Sequence, residues 1–317
     1  MSSDAMSVVL ETRGGRRAGV GHLIRSRALA ACLRRRRAHV VLLSTPAGRA
    51  PRAPDVVVVD RPDTSAAGLL GCHRRWPAAR LVALDYYGPP VAGLEAVVNL
   101  NEARERGWAR PRVYRHGLRY ATLRESFPRL RRERRYVPVR VRRITVGFGG
   151  TDPDRWSWLA VRAIRPVLPR DVRIDLLLGR ASAGSGARHD PSHADGFVRV
   201  RTAVEDPASL LQASDLLIIG GGPMMIEAAC LGVPAVVVPR TVEERLFARQ
   251  FVRAGAVRPA LPRASRFPAS AVQRQVAALF ADQPVRRRMG REGRRLVDGR
   301  GMERVARLIL QVGGRAA

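Results

Sequence analysis

Two doubly wound α/β domains in tandem are the fold class that this sequence predicts, and three observations predict it. Short apolar runs alternate with helical stretches along most of the chain, as parallel βα units do. The alternation falls into two series, separated by a charged, proline-bearing segment that lacks a helical apolar period. A length of 317 residues with 46% hydrophobic content is ample for two ordinary cores.

In the first series, Ser7 to Glu11, His39 to Leu43, Asp55 to Val59, Leu81 to Leu84 and Ala96 to Leu100 read as strands. Helices are expected between them at His22 to Arg35 and Ala66 to Arg75. Ile144 to Phe148, Ile174 to Leu178, Phe197 to Val200, Leu216 to Ile219 and Ala235 to Val238 form the second series. The tail from Ser270 shows helical apolar spacing at Val272, Val276, Leu279 and Phe280, and again at Leu296, Val305, Leu308 and Ile309. These readings place an N-terminal domain at residues 1–128, a linker at 129–142 and a C-terminal domain with the tail helices at 143–317. Open α/β sheets bind ligands at the carboxyl ends of their strands, so the expected site is a cleft between the two domains.

A formal net charge of +30 suggests nucleic acid, but all 57 basic residues are arginine, as codon bias in a GC-rich genome produces. The arginine runs fall on expected helix faces or the linker, and 5% aromatic content offers few stacking platforms for bases. No nucleic-acid partner is expected. Without lysine, neither a Walker phosphate loop nor a pyridoxal Schiff base is possible. Cys32, Cys72 and Cys230 have no paired spacing and read as core thiols in a reducing compartment. Met1 to Met6 carries Asp4 and no secretory pattern, which points to the cytoplasm. Leu216 to Pro239 is strongly apolar, yet glycines and prolines divide it into strand, helix and strand, so no integral membrane segment is expected.

The richest stretch is Gly220-Gly221-Gly222-Pro223-Met224-Met225-Ile226-Glu227, which joins an apolar strand, a glycine bend and a helix start. A helix N-terminus behind glycines favours a phosphate, and Glu227, about one turn on, suits both hydroxyls of a ribose. A tight strand-to-helix turn explains the same stretch equally well. Near the start, Gly14 to Gly21 is a glycine-rich loop that runs into a helix at His22. It departs from a dinucleotide fingerprint, because Ile24 stands where the third glycine belongs and the second strand has no acidic residue at its end. A histidine at such a helix start is a candidate substrate contact.

Gly19-x-Gly21-His22-x-x-Arg25 resembles the start of the pseudaminic-acid-pathway UDP-sugar hydrolases and the related spore-coat polysaccharide proteins. Leu84-Asp85-Tyr86-Tyr87 resembles that family's acidic strand end, and Tyr120-Ala121-Thr122-Leu123-Arg124 is similar to its Tyr-x-x-Leu-Arg segment. Gly147-Phe148-Gly149-Gly150-Thr151-Asp152-Pro153 is also like the family, and the stretch with Glu227 is shared more widely by GT-B glycosyltransferases. The resemblance extends from about Val8 to Val257. It implies a GT-B fold that binds a UDP-sugar in an interdomain cleft without cofactor or metal, and an enzyme that displaces UDP from the anomeric carbon with inversion. His22 is then the base. Gly149, Gly150, Gly221, Gly222, Pro223, Met224 and Glu227 face the nucleotide, while Gly19, Gly21, Arg25, Asp85, Tyr86, Tyr87, Tyr120 and Arg124 face the substrate. Water is the expected acceptor, with a glycosyltransferase or a non-catalytic nucleotide-sugar binder as alternatives.

Where the family and its relatives place Asn-Gln or His-Gln before a helix, this chain has Glu243-Glu244. Sugar contact, capping of the helix and an altered donor are the three readings of that change. Arg240 is a diphosphate candidate or a plain surface arginine, and Asp152-Pro153 reads as a helix cap. His189-x-x-x-His193 has metal-like spacing but lies in the polar stretch Ser182 to Asp195, with no helix to align the rings.

Overall fold

The computed structural model describes residues 5–13, 21–44, 51–101, 111–133, 137–150, 152–179, 196–262 and 266–314. Contacts group residues 1–125 with 299–317 in one compact unit and residues 126–298 in another.

In the first unit β1 (Ser7–Thr12), β2 (His39–Leu43), β3 (Val56–Asp60), β4 (Arg80–Leu84), β5 (Leu94–Asn99) and β6 (Val113–His116) form one sheet. Their order is β2-β1-β3-β4-β5-β6, and every neighbouring pair is parallel. Val8, Leu10, Val56 and Val58 are buried with Leu29 and Leu33 of α1 (Gly21–Arg35). Their strand neighbours Val9, Val57 and Val59 are buried with Leu69 and Cys72 of α2 (Ala66–Arg75). Both faces are covered, which is why these strands read as unbroken apolar runs rather than alternating ones.

The second unit holds β7 (Arg143–Gly147), β8 (Arg173–Leu178), β9 (Val198–Thr202), β10 (Leu216–Gly220), β11 (Ala235–Val238) and β12 (Val257–Pro259). They lie in the order β12-β11-β10-β7-β8-β9, again all parallel. Its helices are α3 (Ser126–Arg131), α4 (Trp156–Ile164), α5 (Ala208–Gln212), α6 (Met224–Leu231), α7 (Val242–Arg253), α8 (Ala269–Ala281) and α9 (Gln283–Leu296). The segment expected as a linker begins inside α3. Further on, the fully buried Arg286 donates to the carbonyls of Pro138 at 2.7 Å and Val139 at 2.8 Å, so this stretch is stapled to the second unit.

Two differences from the sequence reading have simple causes. The last helix, α10 (Gly301–Val312), packs in the first unit, where Val305, Ala306 and Ile309 are buried with Val8, Leu10 and Leu29. Helical periodicity reveals that a face is buried, not which sheet covers it. Each sheet also has a sixth strand, β6 and β12, that the sequence reading lacks. Both are short edge strands carrying charge or proline, Arg115 and His116 in one and Arg258 and Pro259 in the other, a pattern that blunts sheet edges and reads as loop.

Strand order reverses once in each sheet, between β1 and β3 and between β7 and β10. At such points the loops leaving the carboxyl ends diverge and open a crevice for ligand.

Candidate functional site

At the first reversal Thr12 pairs with Asp60, so the last residue of β3 stands at the carboxyl end beside β1. His22, Arg25 and Ser26 occupy positions i, i+3 and i+4 at the start of α1 and therefore share one helix face. All three converge on Asp60, whose side chain is 1% exposed. His22 Nδ1 lies 2.7 Å from Oδ1, while Arg25 Nε and Ser26 Oγ each donate to Oδ2 at 2.9 Å. Arg25 Nη2 also bonds Oδ1, and its Nη1 donates to Asp85 at 2.7 Å.

Electrostatics keep Asp60 ionised and Arg25 charged. Burial raises the Asp60 carboxyl, but the Arg25 charge and the hydrogen bonds from His22 and Arg25 outweigh it and hold the group at about 2. Burial opposes the Arg25 cation too, yet the flanking Asp60 and Asp85 carboxylates draw its pKa above the ordinary arginine value. An ionised Asp60 only accepts, so its 2.7 Å hydrogen bond with His22 is donated by Nδ1, the nitrogen that Arg25 Nη2 also approaches to 3.1 Å. In a neutral ring with its hydrogen on Nδ1, Nε2 is the nitrogen that accepts. Asp60 is the residue that sequence reasoning missed. Its signal was a lone carboxylate closing the run Val56-Val57-Val58-Val59, at the sheet edge where ligands bind.

Asp85, just past β4, has φ 55°, a left-handed backbone that is unusual outside glycine and more tolerable for aspartate. Tyr86 follows it into the core. The residue is 1% exposed and its hydroxyl donates to the Pro89 carbonyl at 2.5 Å, so it packs at the strand end, in place of the substrate-facing position expected for it. Tyr87 remains at the surface, where partial burial and the Asp85 charge push its phenol up to about 12. Gly21 opens α1, whereas Gly19 lies outside the described residues, as do His189 and His193. Tyr120 ends a short 3-10 turn, Leu118–Tyr120, and packs against the core on the α1 and α10 side; Arg124 is half-buried four residues on.

The second unit brings its two glycine segments together at the other reversal. Gly147 pairs with Ile219, so the turn of Gly149 and Gly150 after β7 leaves the sheet beside the bend of Gly221 and Gly222 after β10. Gly149 has φ 91°, a backbone that a side chain would strain. Pro223 precedes α6 with helical backbone angles, Met224 opens the helix, and Glu227 lies half-buried in its first turn. Asp152, three residues before the N-cap position at Arg155, satisfies the first two amides of α4, accepting from Trp156 and Ser157 at 2.9 Å each.

Glu243 and Glu244 stand at the start of α7 and differ in role. Thr241 caps the helix by accepting from the Glu244 amide at 3.2 Å. The Glu244 carboxylate accepts from the amides of Arg240 at 2.7 Å and Gly221 at 3.2 Å, which ties the start of α7 to the glycine bend. Glu243 is exposed, its carboxyl drawn below the usual range by the Thr241 hydroxyl. Arg240 has its Nε 4.0 Å from Glu244 Oε1. Among the described residues no helix is long and apolar enough to cross a membrane.

No protein-family model matches the chain. Over 169 residues it is 27% identical to SpsG, the spore coat polysaccharide biosynthesis protein of Bacillus subtilis (strain 168), covering 53% of this chain and 50% of that one. Over 133 residues it is 28% identical to the uncharacterized protein MJ1062 of Methanocaldococcus jannaschii, covering 39% of this chain and 27% of that one. The chain thus spans half or less of the length of these two relatives. Among solved structures, MurG of Acinetobacter baumannii superposes with a TM-score of 0.63 at 14% identity, over 96% of this chain and 99% of that one. The S. aureus MnaA–UDP complex gives 0.63 at 12% identity, over 96% of each chain. The spinosyn rhamnosyltransferase SpnG complexed with thymidine diphosphate gives 0.61 at 15% identity, over 96% of this chain and all 100% of that one. With this likeness running over nearly the whole chain, two parallel six-stranded sheets that each reverse their strand order once give the protein the GT-B fold.

Proposed function

We propose that this protein is an enzyme of the glycosyltransferase superfamily that cleaves the anomeric C–O bond of a UDP-sugar with inversion and releases UDP. Its place is the making of a polysaccharide or a sugar derivative, in keeping with the name of the Bacillus relative. The first unit supplies the base and the second holds the nucleotide. What carries this function is the His22–Asp60 pair: a buried, ionised carboxylate fixes the histidine through Nδ1 and leaves Nε2 to act. The acceptor oxygen gives its proton to Nε2 as it bonds the anomeric carbon, and the bond to the β-phosphate oxygen breaks with its electron pair leaving on UDP. A single displacement inverts the centre. Amides of the glycine bends and the start of α6 offset the charge gathering on the diphosphate, and Glu227 accepts from the ribose hydroxyls.

We take water as the acceptor, on the likeness of the Gly19-x-Gly21-His22-x-x-Arg25 and Tyr120-x-x-Leu123-Arg124 segments to UDP-sugar hydrolases. A hydroxyl acceptor is the second reading, and it is favoured by the transferase named among the similar structures. Incubation with a panel of UDP-sugars, alone and with sugar alcohols, separates the outcomes by product mass. Free sugar with UDP supports hydrolysis, a glycoside formed only with acceptor supports transfer, and saturable binding without turnover refutes catalysis.

A further inference from the structure

Glu244 occupies an unusual position at the nucleotide edge of the second unit. It is the third residue of α7, from which a glutamate commonly reaches back to the amide of its own capping residue. Here it reaches past Thr241 to the amides of Arg240 and Gly221. Gly221 makes the room: a Cβ on it would lie 2.7 Å from Glu244 Cβ and 3.1 Å from Oε2. One amide of the bend before α6 is therefore already held by an anion of the chain's own, and that side chain remains 22% exposed. The Arg240 Nε stands 4.0 Å from Oε1, at the outer limit of an ion pair, while both amides bond the other oxygen, Oε2.

We propose that Glu244 sets the relative affinity of product and substrate, disfavouring UDP more than UDP-sugar, a role that stands only if the second unit holds UDP as proposed above. The terminal phosphoryl of UDP carries roughly one more negative charge at neutral pH than the same phosphoryl esterified to a sugar, because its second ionisation lies near pH 6. A fixed carboxylate beside the diphosphate repels that extra charge. For charges roughly 8 Å apart near a protein surface, screened over a Debye length of about 10 Å, the difference in affinity is on the order of five-fold, and more salt weakens it further. Product is thereby favoured to leave once the sugar has gone.

Glu244→Gln keeps an oxygen that accepts from both amides and removes only the charge. Binding of UDP and of UDP-N-acetylglucosamine is measured by calorimetry for the wild type, Glu244→Gln, Glu244→Ala and the charge-retaining Glu244→Asp, with thermal melting to confirm folding. Both neutral variants are expected to tighten UDP about five-fold relative to UDP-N-acetylglucosamine, Glu244→Asp to keep the wild-type ratio, and the gap to shrink in high salt. An unchanged ratio in the folded neutral variants, or an equal loss of both ligands as a bracing role would give, overturns the proposal. A wild type that binds neither nucleotide overturns the UDP-sugar function together with it.

Discussion

With His22 Nδ1 at 2.7 Å and Arg25 Nε at 2.9 Å from one buried carboxylate, replacing Asp60 by asparagine removes the charge that both partners face. Turnover of Asp60→Asn is expected to fall by roughly two to four orders of magnitude, the range seen when a histidine loses its orienting carboxylate, while UDP affinity stays within about two-fold. Steady-state kinetics beside UDP titration checks both. The same group makes stability depend on pH. Its carboxyl moves from the ordinary 3.8 to about 2 on folding, so its ionised form contributes on the order of 2 kcal/mol above about pH 4, and this is lost as pH falls through 2. Urea unfolding should show the wild-type advantage over Asp60→Asn collapsing across that interval. His22 stood out in the sequence because it follows a glycine loop at a helix start, and Arg25 because the Gly19-x-Gly21-His22-x-x-Arg25 segment resembles the hydrolase family. Asp60 carried a signal, as the carboxylate that closes an apolar strand, but its partners lie 34 to 38 residues away on α1 and only the fold brings them together. Adjacent tyrosines could not be told apart either, because the left-handed backbone at Asp85 breaks the alternation that would say which one points inward.

Between β10 and α6 the bend is tight enough that its glycine is a packing requirement. A methyl group on Gly221 would meet Glu244 Cβ at 2.7 Å and Pro239 Cβ at 3.0 Å, so Gly221→Ala must push the start of α7 away. A destabilisation of about 1–3 kcal/mol is expected from such overpacking, together with weaker UDP binding, by urea titration and calorimetry. The strand, the bend and α6 were all legible, because a doubly covered strand is a continuous apolar run and glycines with a proline mark its end. What sequence could not supply was the partner of Glu244, because the amide it holds lies 23 residues away on another turn. Capping, one of three readings for the Glu243-Glu244 pair, describes Glu244 in part, since its carboxylate serves the Arg240 amide and the glycine bend at once.

On the scale of the whole chain, the last helix belongs with the first strands. Ile309 is fully buried against a core built from β1, β3 and α1, so Ile309→Ala is expected to cost about 2–5 kcal/mol in the unfolding of the first unit. Hydrogen exchange should show that loss on β1 and β3, with the amides of β7 and β10 unaffected. Two α/β series were legible from strand spacing alone, and the return of the tail to the first unit was not, because apolar periodicity carries no address. The central claim, a UDP-sugar enzyme whose base is His22, is tested most directly by UDP release from a UDP-sugar panel, with wild type and His22→Ala compared at matched UDP affinity. The expected result is release by the wild type and a loss of at least about a hundred-fold in the variant with UDP still bound. Equal release by the two proteins, or none by the wild type from any member of the panel, would contradict it.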